Sequence, residues 1–598
     1  MSSSPPATAD TATAVTATAD TAAADTADTA TADTAADAAA TENLLRCWIR
    51  ETAVPRPADD LLTVPLPASG VTVEAPVRYW SPVGWHRFGP AHVQGTGTPL
   101  AASALAALIA VETAAADPAQ VADLTGRVAD STRRTAEFVR QRAGQPADPE
   151  GTTAFLAAEQ ALITGHPLHP TPKSREGLTD AELGAYSPEL RGSFALHWFA
   201  ADPSVISADS TLAGRTAQGL MTELAEDSVR APEGTVLVPA HPWQAKDIVT
   251  RPAVRALLDA GLLHDLGRAG PEWSPTSSVR TLYRADAPVM LKFSLGLRIT
   301  NSRRENMRVE LERGAAVDRL LAAGLGDTLR AEHPGFDIVR DPAWIAVDAT
   351  DGSPTGLDVV VRDNPFPASE PVQAVCAAGL VAPRPDLGPD APSQLATVVR
   401  GLAERTGRSI TDVAEDWFDR YLQHIVTPVL WLYATYGLGL EAHQQNTLVV
   451  LDEEGRPAGG RYRDNQGYYF SPTRSTALYG WVPEVGRDLG TYVDDEIIDE
   501  RLAYYVGINN MLGMVGALGS QGLADEDALL RRAADTLGKL AAEHGDRLRL
   551  ATTLRTAATL RCKANLLTRV HGMDELTGPL EAQSVYVDLA NPLAGAAR

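Results

Sequence analysis

Residues 441–467 read EAHQQNTLVVLDEEGRPAGGRYRDNQG. They follow a segment, 411–436, whose apolar spacing predicts a long helix with Pro428 as a kink and Gly437 as its stop. His443, Gln445 and Asn446 stand directly before the apolar strand TLVVL, DEEG makes a turn, a second strand follows, and RDNQG brings in Asp464. A helix feeding a β-hairpin of this kind places the region in the α+β class. It also brings the Asn446 amide oxygen and the Asp464 carboxylate together, and both are hard-oxygen ligands suited to magnesium. The competing reading is a polar β-turn with a capping Asn; the magnesium reading is preferred.

The order helix, loop ending in Asn, hairpin, Asp before Gly is similar to that of protein kinases, where the Asn and Asp bind metal. The other kinase parts are missing. There is no G-x-G-x-x-G loop, and no Asp stands at the position of the catalytic base.

Working outward, residues 277–306, SSVRTLYRADAPVMLKFSLGLRITNSRREN, predict a second hairpin around ADAP. Ser277, Ser278, Arg280 and Thr281 share one strand, and Lys292 on the next stands opposite Arg280 or Thr281. Hydroxyls and cations on one sheet suit a phosphate chain; an exposed face with ordinary ion pairs is the bland alternative. Thr300, Arg303, Arg304 and Asn306 follow. Guanidinium groups bind carboxylates bidentately, so an acid substrate fits here, against a helix start capped by Asn301 or Ser302.

Residues 163–177, ITGHPLHPTPKSREG, crowd His166, His169, Lys173 and Arg175 into a loop stiffened by three prolines. Unpaired buried cations cost several kcal/mol, so a nucleotide phosphate or an acid substrate is the expected partner. In VPAHPWQAKD, residues 238–247, His241 ends a strand as a supporting residue and Trp243 reads as core.

The chain of 598 residues exceeds one ordinary core, and its 44% hydrophobic and 21% charged residues are those of a globular protein. A net charge of −24 argues against nucleic acid as a partner. No apolar run approaches the roughly 18–20 residues of a membrane span. Three distant cysteines support neither a disulfide framework nor a zinc pattern; with no basic and apolar leader, a cytoplasmic protein is expected. Residues 1–42, rich in Ala, Thr and Asp, are expected to be disordered. Residues 101–142 read as helices, GQPADPEG and PRPDLGPDAPS as joints, and residues 528–544 and 552–570 as two further helices, making the last third mostly helical.

Taken together, HP-x-HP-x-x-K-x-R at 166–175, H-x-Q-N at 443–446 and RD-x-x-G at 463–467 resemble the aerobactin-type (IucA/IucC-like) siderophore synthetases, ATP-dependent enzymes that work without nonribosomal peptide synthetases. The resemblance spans roughly residues 150–575. It implies an α+β cupped hand: a thumb-like region at 43–150, fingers at 151–382 and a distantly kinase-like palm at 383–598, in a homodimer. It further implies that a carboxylate of citrate, or of a related polycarboxylic acid, attacks the α-phosphate of ATP, and that an amine or alcohol captures the acyl adenylate. On the matching positions, ATP is expected at His169, Lys173, Ser278, Arg280, Thr281 and Lys292. The acid is expected at His169, Thr300, Arg304, His443 and Gln445, and magnesium at Asn446 and Asp464. Arg304, His443 and Lys292 are the expected catalytic residues. The rival classes are a kinase-like phosphotransferase and a non-catalytic ferric-siderophore-binding protein.

Overall fold

The computed structural model describes residues 11–113, 117–300, 302–464, 467–573 and 584–596. Residues 1–10 and Asn301, the candidate helix cap, lie outside that set. The described residues form a mixed helix-and-sheet chain with three large apolar cores. Among them no helix is long and apolar enough to cross a membrane.

The first core corrects the expectation for the tail. One helix spans Thr11–Glu51, and Ala32, Ala36 and Ala40 on it are buried, with the helix packed on Pro118–Ala143 and Ala102–Thr113. Alanines four residues apart make a narrow stripe that lets two backbones approach closely. Composition hides that period, and the stretch expected to be disordered instead lies within a helix that buries Ala32, Ala36 and Ala40. Asp37 accepts a hydrogen bond from the Ala102 N–H at 2.9 Å, satisfying an orphan donor at the next helix start. The far end of the chain completes this core. Leu566 and Val570, on the helix Asn565–Val570, pack into it, and Glu51 accepts the N–H groups of Leu566 and Leu567 at 2.9 and 2.8 Å.

The second core lies against an eight-stranded antiparallel sheet, in which Thr281–Tyr283 and Val289–Phe293 are neighbours near the middle. Thr281 stands opposite Lys292, which settles the open register. The strand is shorter than its sequence reads: Val279 has φ +67°, so residues 277–280 form a turn instead. Thr300, at φ +57°, likewise reverses the chain between strands Leu295–Ile299 and Ser302–Arg304. A strand therefore stands where a capped helix start was the alternative.

The third core holds the C-terminal helices and the hairpin Thr447–Leu451/Pro457–Tyr462. The preceding helical stretch runs Ile410–Tyr421, a π-helical turn Leu422–Val426, then Thr427–Tyr436. It stops at Gly437 in the left-handed conformation, as expected. Residues 552–570 are not one helical run. After Thr556 the chain extends into the strand Thr559–Lys563, paired with Tyr586–Ala590, and Leu560 and Cys562 point inward at the period of two.

Candidate active site

Sheet, hairpin and Pro-stiffened loop enclose a cavity of ≈ 360 Å³. His169 and Lys173 line it from the loop, and Ser278, Arg280, Thr281 and Lys292 from the central sheet. Thr300 and Arg304 line it from the reversal, and His443, Gln445, Asn446 and Asp464 from the hairpin. Segments nearly three hundred positions apart thus share one wall.

The cations dominate its electrostatics. Lys292 Nζ lies 2.7 Å from Asp464 Oδ1, with Arg362 3.9 Å from the same oxygen. Burial lowers the Lys292 ammonium to about 8, against the pull of Asp464. Burial would raise the Asp464 carboxyl, but Lys292 and Arg362 hold it far below the carboxylate range. Arg280 donates to the Arg304 carbonyl at 2.7 Å and to Asn306 Oδ1 at 2.8 Å, and burial followed by the nearby Arg304 lowers it to about 10. Arg304 donates to Thr300 Oγ1 at 3.0 Å. Ser278 Oγ accepts the Thr281 N–H at 3.1 Å and so shapes the tight turn. Val279, Thr300 and Asp464 all have positive φ, strain of about 1–3 kcal/mol each that clusters at this cavity.

Burial pushes His443 down to about 4, so at neutral pH its ring is an uncharged hydrogen-bonding group. His169 is buried, and its Nδ1 accepts the Thr171 N–H at 3.1 Å. Gln445 Nε2 donates to Ser277 Oγ at 3.3 Å. His241, outside the cavity wall, caps the helix Pro242–Ile248 through Nδ1, packed among Tyr186 and Phe194.

Lys173 and Arg175 need no ligand to balance their charge, because both bind Glu189 Oε1 at 2.5 Å. Burial would raise Glu189, but Arg175 and Lys173 bring it down to about 2. Lys173 keeps its place on the wall with its ammonium committed to Glu189; Arg175 is structural.

Several residues here escaped the sequence reading. Arg463 pairs with the buried Glu159 at 2.8 Å and donates to the Gln445 carbonyl at 2.7 Å, while Glu159 accepts from the N–H and Oγ of Ser277 at 2.9 and 2.7 Å. This pair locks the hairpin loop to the turn at residues 277–280. Arg362 is held by Asp341 at 2.7 and 2.9 Å. Glu441, half-buried, has its carboxyl raised by desolvation. The RD dipeptide at 463–464 was the one signal available, since it placed Arg463 beside a site residue.

Among the described residues no group of three or more His, Cys, Asp or Glu could by itself hold a metal ion. Magnesium needs less, because it takes one or two protein oxygens and completes its shell with phosphate and water. Asp464 supplies a carboxylate. Asn446 commits its amide N–H to the Glu441 carbonyl at 3.2 Å, which leaves its oxygen as the remaining donor. This oxygen pair fits a nucleotide-borne magnesium.

Buried cations, hydroxyls and a carboxylate–amide pair in one cavity suit two polyanions brought face to face. The IucA / IucC family matches residues 154–382, and the ferric iron reductase FhuF-like transporter family matches residues 415–578. The chain is 40% identical over 544 residues to the rhizobactin siderophore biosynthesis protein RhbC of Rhizobium meliloti (strain 1021), across 88% of this chain and 91% of that protein. It is 34% identical over 595 residues to the spermidine-citrate ligase of Bacillus anthracis, across 93% and 98%. Its fold matches ATP-bound aerobactin synthetase IucA from a hypervirulent pathotype of Klebsiella pneumoniae with a TM-score of 0.83 and 28% identity, covering 93% of this chain and 99% of that one. With relatives so similar across almost its whole length, the chain belongs to the IucA/IucC family of siderophore synthetases.

Proposed function

We propose that the protein is a siderophore-biosynthesis ligase that adenylates a carboxylate of citrate, or of a related polycarboxylic acid, and passes the acyl group to an amine or alcohol, releasing pyrophosphate and AMP. The observation that carries this reading is the single cavity in which Lys292, Arg280 and Arg304 face the Asn446–Asp464 oxygen pair. Spermidine-citrate ligase and aerobactin synthetase activities among the relatives support it.

In this reading Ser278, Arg280, Thr281, Lys292 and His169 hold the triphosphate, and Lys173 shapes the wall beside them. Thr300, Arg304, His443 and Gln445 hold the acid. Asp464 and Asn446 would hold magnesium, which supplies further neutralisation of the triphosphate charge. Carboxylate and triphosphate repel each other, so fixed cations are required to bring them into line. A carboxylate oxygen then forms a bond to the α-phosphorus as the bond to the bridging oxygen breaks, and pyrophosphate leaves with that electron pair. The nucleophile's lone pair next forms a bond to the acyl carbon, the carbon–oxygen bond to AMP breaks, and the nucleophile loses a proton. His443, uncharged, orients a carboxylate or its adenylate by hydrogen bonding and adds no net charge. The same reading carries a thumb, fingers and kinase-like palm at 43–150, 151–382 and 383–598, a homodimer and a cytoplasmic location.

The FhuF-like match raises iron reduction as a second reading. Iron–sulfur chemistry calls for several thiolates, and the matched stretch contains Cys562 alone, buried. The ligase reading is therefore preferred. Purified protein with ATP, magnesium, citrate and an amine is expected to release pyrophosphate and AMP, and with hydroxylamine to yield a hydroxamate. ADP as product would move the protein to the phosphotransferases. No ATP consumption with any polycarboxylate would leave a binding protein.

A further inference from the structure

Glu441 is one of two carboxylates lining the cavity; the other, Asp464, is held by Lys292. Tyr469 donates its hydroxyl to Glu441 Oε1, and among the described residues no cation pairs with the Glu441 carboxylate. Asp464, Lys563 and Arg501 are the charged groups that act on it from further off. Glu441 is half-buried and faces the cavity, so a carboxylate there with no cation of its own attracts an arriving positive group. Tyr505 lies on the same side, with its ring 5.8 Å from that of His443 and 5.4 Å from that of Tyr504, and both tyrosines line the cavity. Aromatic faces favour an alkylammonium chain.

Glu441 stands five residues before Asn446. In the kinase catalytic loop, H-R-D-x-x-x-x-N, an acidic residue at that same spacing faces the incoming nucleophile while the Asn takes metal. Here a glutamate fills the place where an aspartate was sought, and Asn446 Nδ2 donates to its carbonyl at 3.2 Å, fixing the two at opposite ends of one turn.

We propose that the Glu441 carboxylate receives the ammonium group of the nucleophile, so that the protein's second substrate is a cationic amine and not an alcohol. This rests on the ligase reading, and it divides the cavity: cations for ATP and the acid, Glu441 for the amine.

Hydroxylamine, uncharged at neutral pH, separates the two halves of the reaction. The probe is whichever of spermidine, putrescine and lysine the unaltered protein couples fastest to citrate. Glu441→Gln keeps the side-chain shape and the Tyr469 hydrogen bond. It is expected to raise the KM for that amine at least roughly tenfold, as loss of a charge partner in a cavity wall does, and to leave hydroxamate formation within about twofold. Gly467→Ala tests position without changing charge, because a Cβ there would lie 2.7 Å from Glu441 Cδ and push the carboxylate aside; the same split is expected. An equal loss in both assays, or an altered magnesium requirement, would put Glu441 on the nucleotide side and overturn the assignment. So would an unchanged amine KM, or preferential coupling of an uncharged alcohol. Hydroxamate formed by the unaltered protein keeps the ligase reading standing in each of those cases, whereas its absence overturns that reading and this assignment together.

Discussion

Three cations, Lys292, Arg280 and Arg362, act on the single carboxylate of Asp464. Positive charge in that corner is in excess, and in the proposed reading the triphosphate of ATP balances it. Lys292→Ala is expected to lower kcat/KM for ATP by roughly 30- to 1000-fold whichever acid is supplied, the range for losing one buried charge partner. Arg304→Ala should raise chiefly the KM for the acid; steady-state kinetics with each substrate varied separates the two. Asp464→Asn should abolish most turnover at ordinary magnesium, since a neutral amide is a poorer ligand for a hard dication, and excess magnesium should restore part of it. The pH dependence has a definite sign. Lys292 titrates at about 8 in the free protein, so its charge is present below that pH and lost above it. The KM for ATP is therefore expected to rise as pH passes 8, and the Lys292→Arg variant should flatten that rise. The cations themselves were legible in the sequence because they interrupt an acidic chain in clusters. Glu189 was not, for a lone acid between Pro188 and Leu190 gives no hint that it neutralises two cations of another loop.

The 447–462 hairpin was legible because it combines a period-two apolar run, a turn and a flanking helix whose stop is a glycine. The 281–293 hairpin was legible as a pair, but Ser277–Arg280 were lost to a turn set by the left-handed backbone of Val279, which nothing in a valine announces. What joins the two hairpins is tertiary. The Glu159–Arg463 pair crosses between them, and its members come from distant parts of the chain. Removing one member of a buried pair leaves the other uncompensated, so Glu159→Gln is expected to destabilise the protein by about 3–5 kcal/mol. In the double variant Glu159→Gln with Arg463→Met, much of that loss should return while turnover stays low, because the Gln445 carbonyl has lost its donor. Denaturant unfolding and pyrophosphate release measure the two effects. Recovery of turnover with stability would show that the pair only holds the fold.

Across the molecule, the mixed α+β class could be read from the sequence, while the packing of Ala32, Ala36 and Ala40 could not, because alanine spacing carries so little hydrophobic signal. Removal of residues 1–28 is expected to leave thermal stability unchanged. Removal through residue 41 takes away Ala32, Ala36, Ala40 and the Asp37 cap, and should lower Tm by roughly 5 °C or more. Equal melting of the two truncations would show that the packed alanines contribute nothing. The closing of the first core by the helix Asn565–Val570 reaches beyond stability. Glu51 and Leu566 are 515 positions apart. At the usual pace of translation the amino-terminal helices leave the ribosome on the order of a minute before their last partner exists. During that interval their apolar face is open to solvent and to neighbouring nascent chains. A stop codon anywhere before residue 566 leaves it open for good, so even a late nonsense mutation that spares every cation of the cavity yields a chain for the cell's proteases and chaperones.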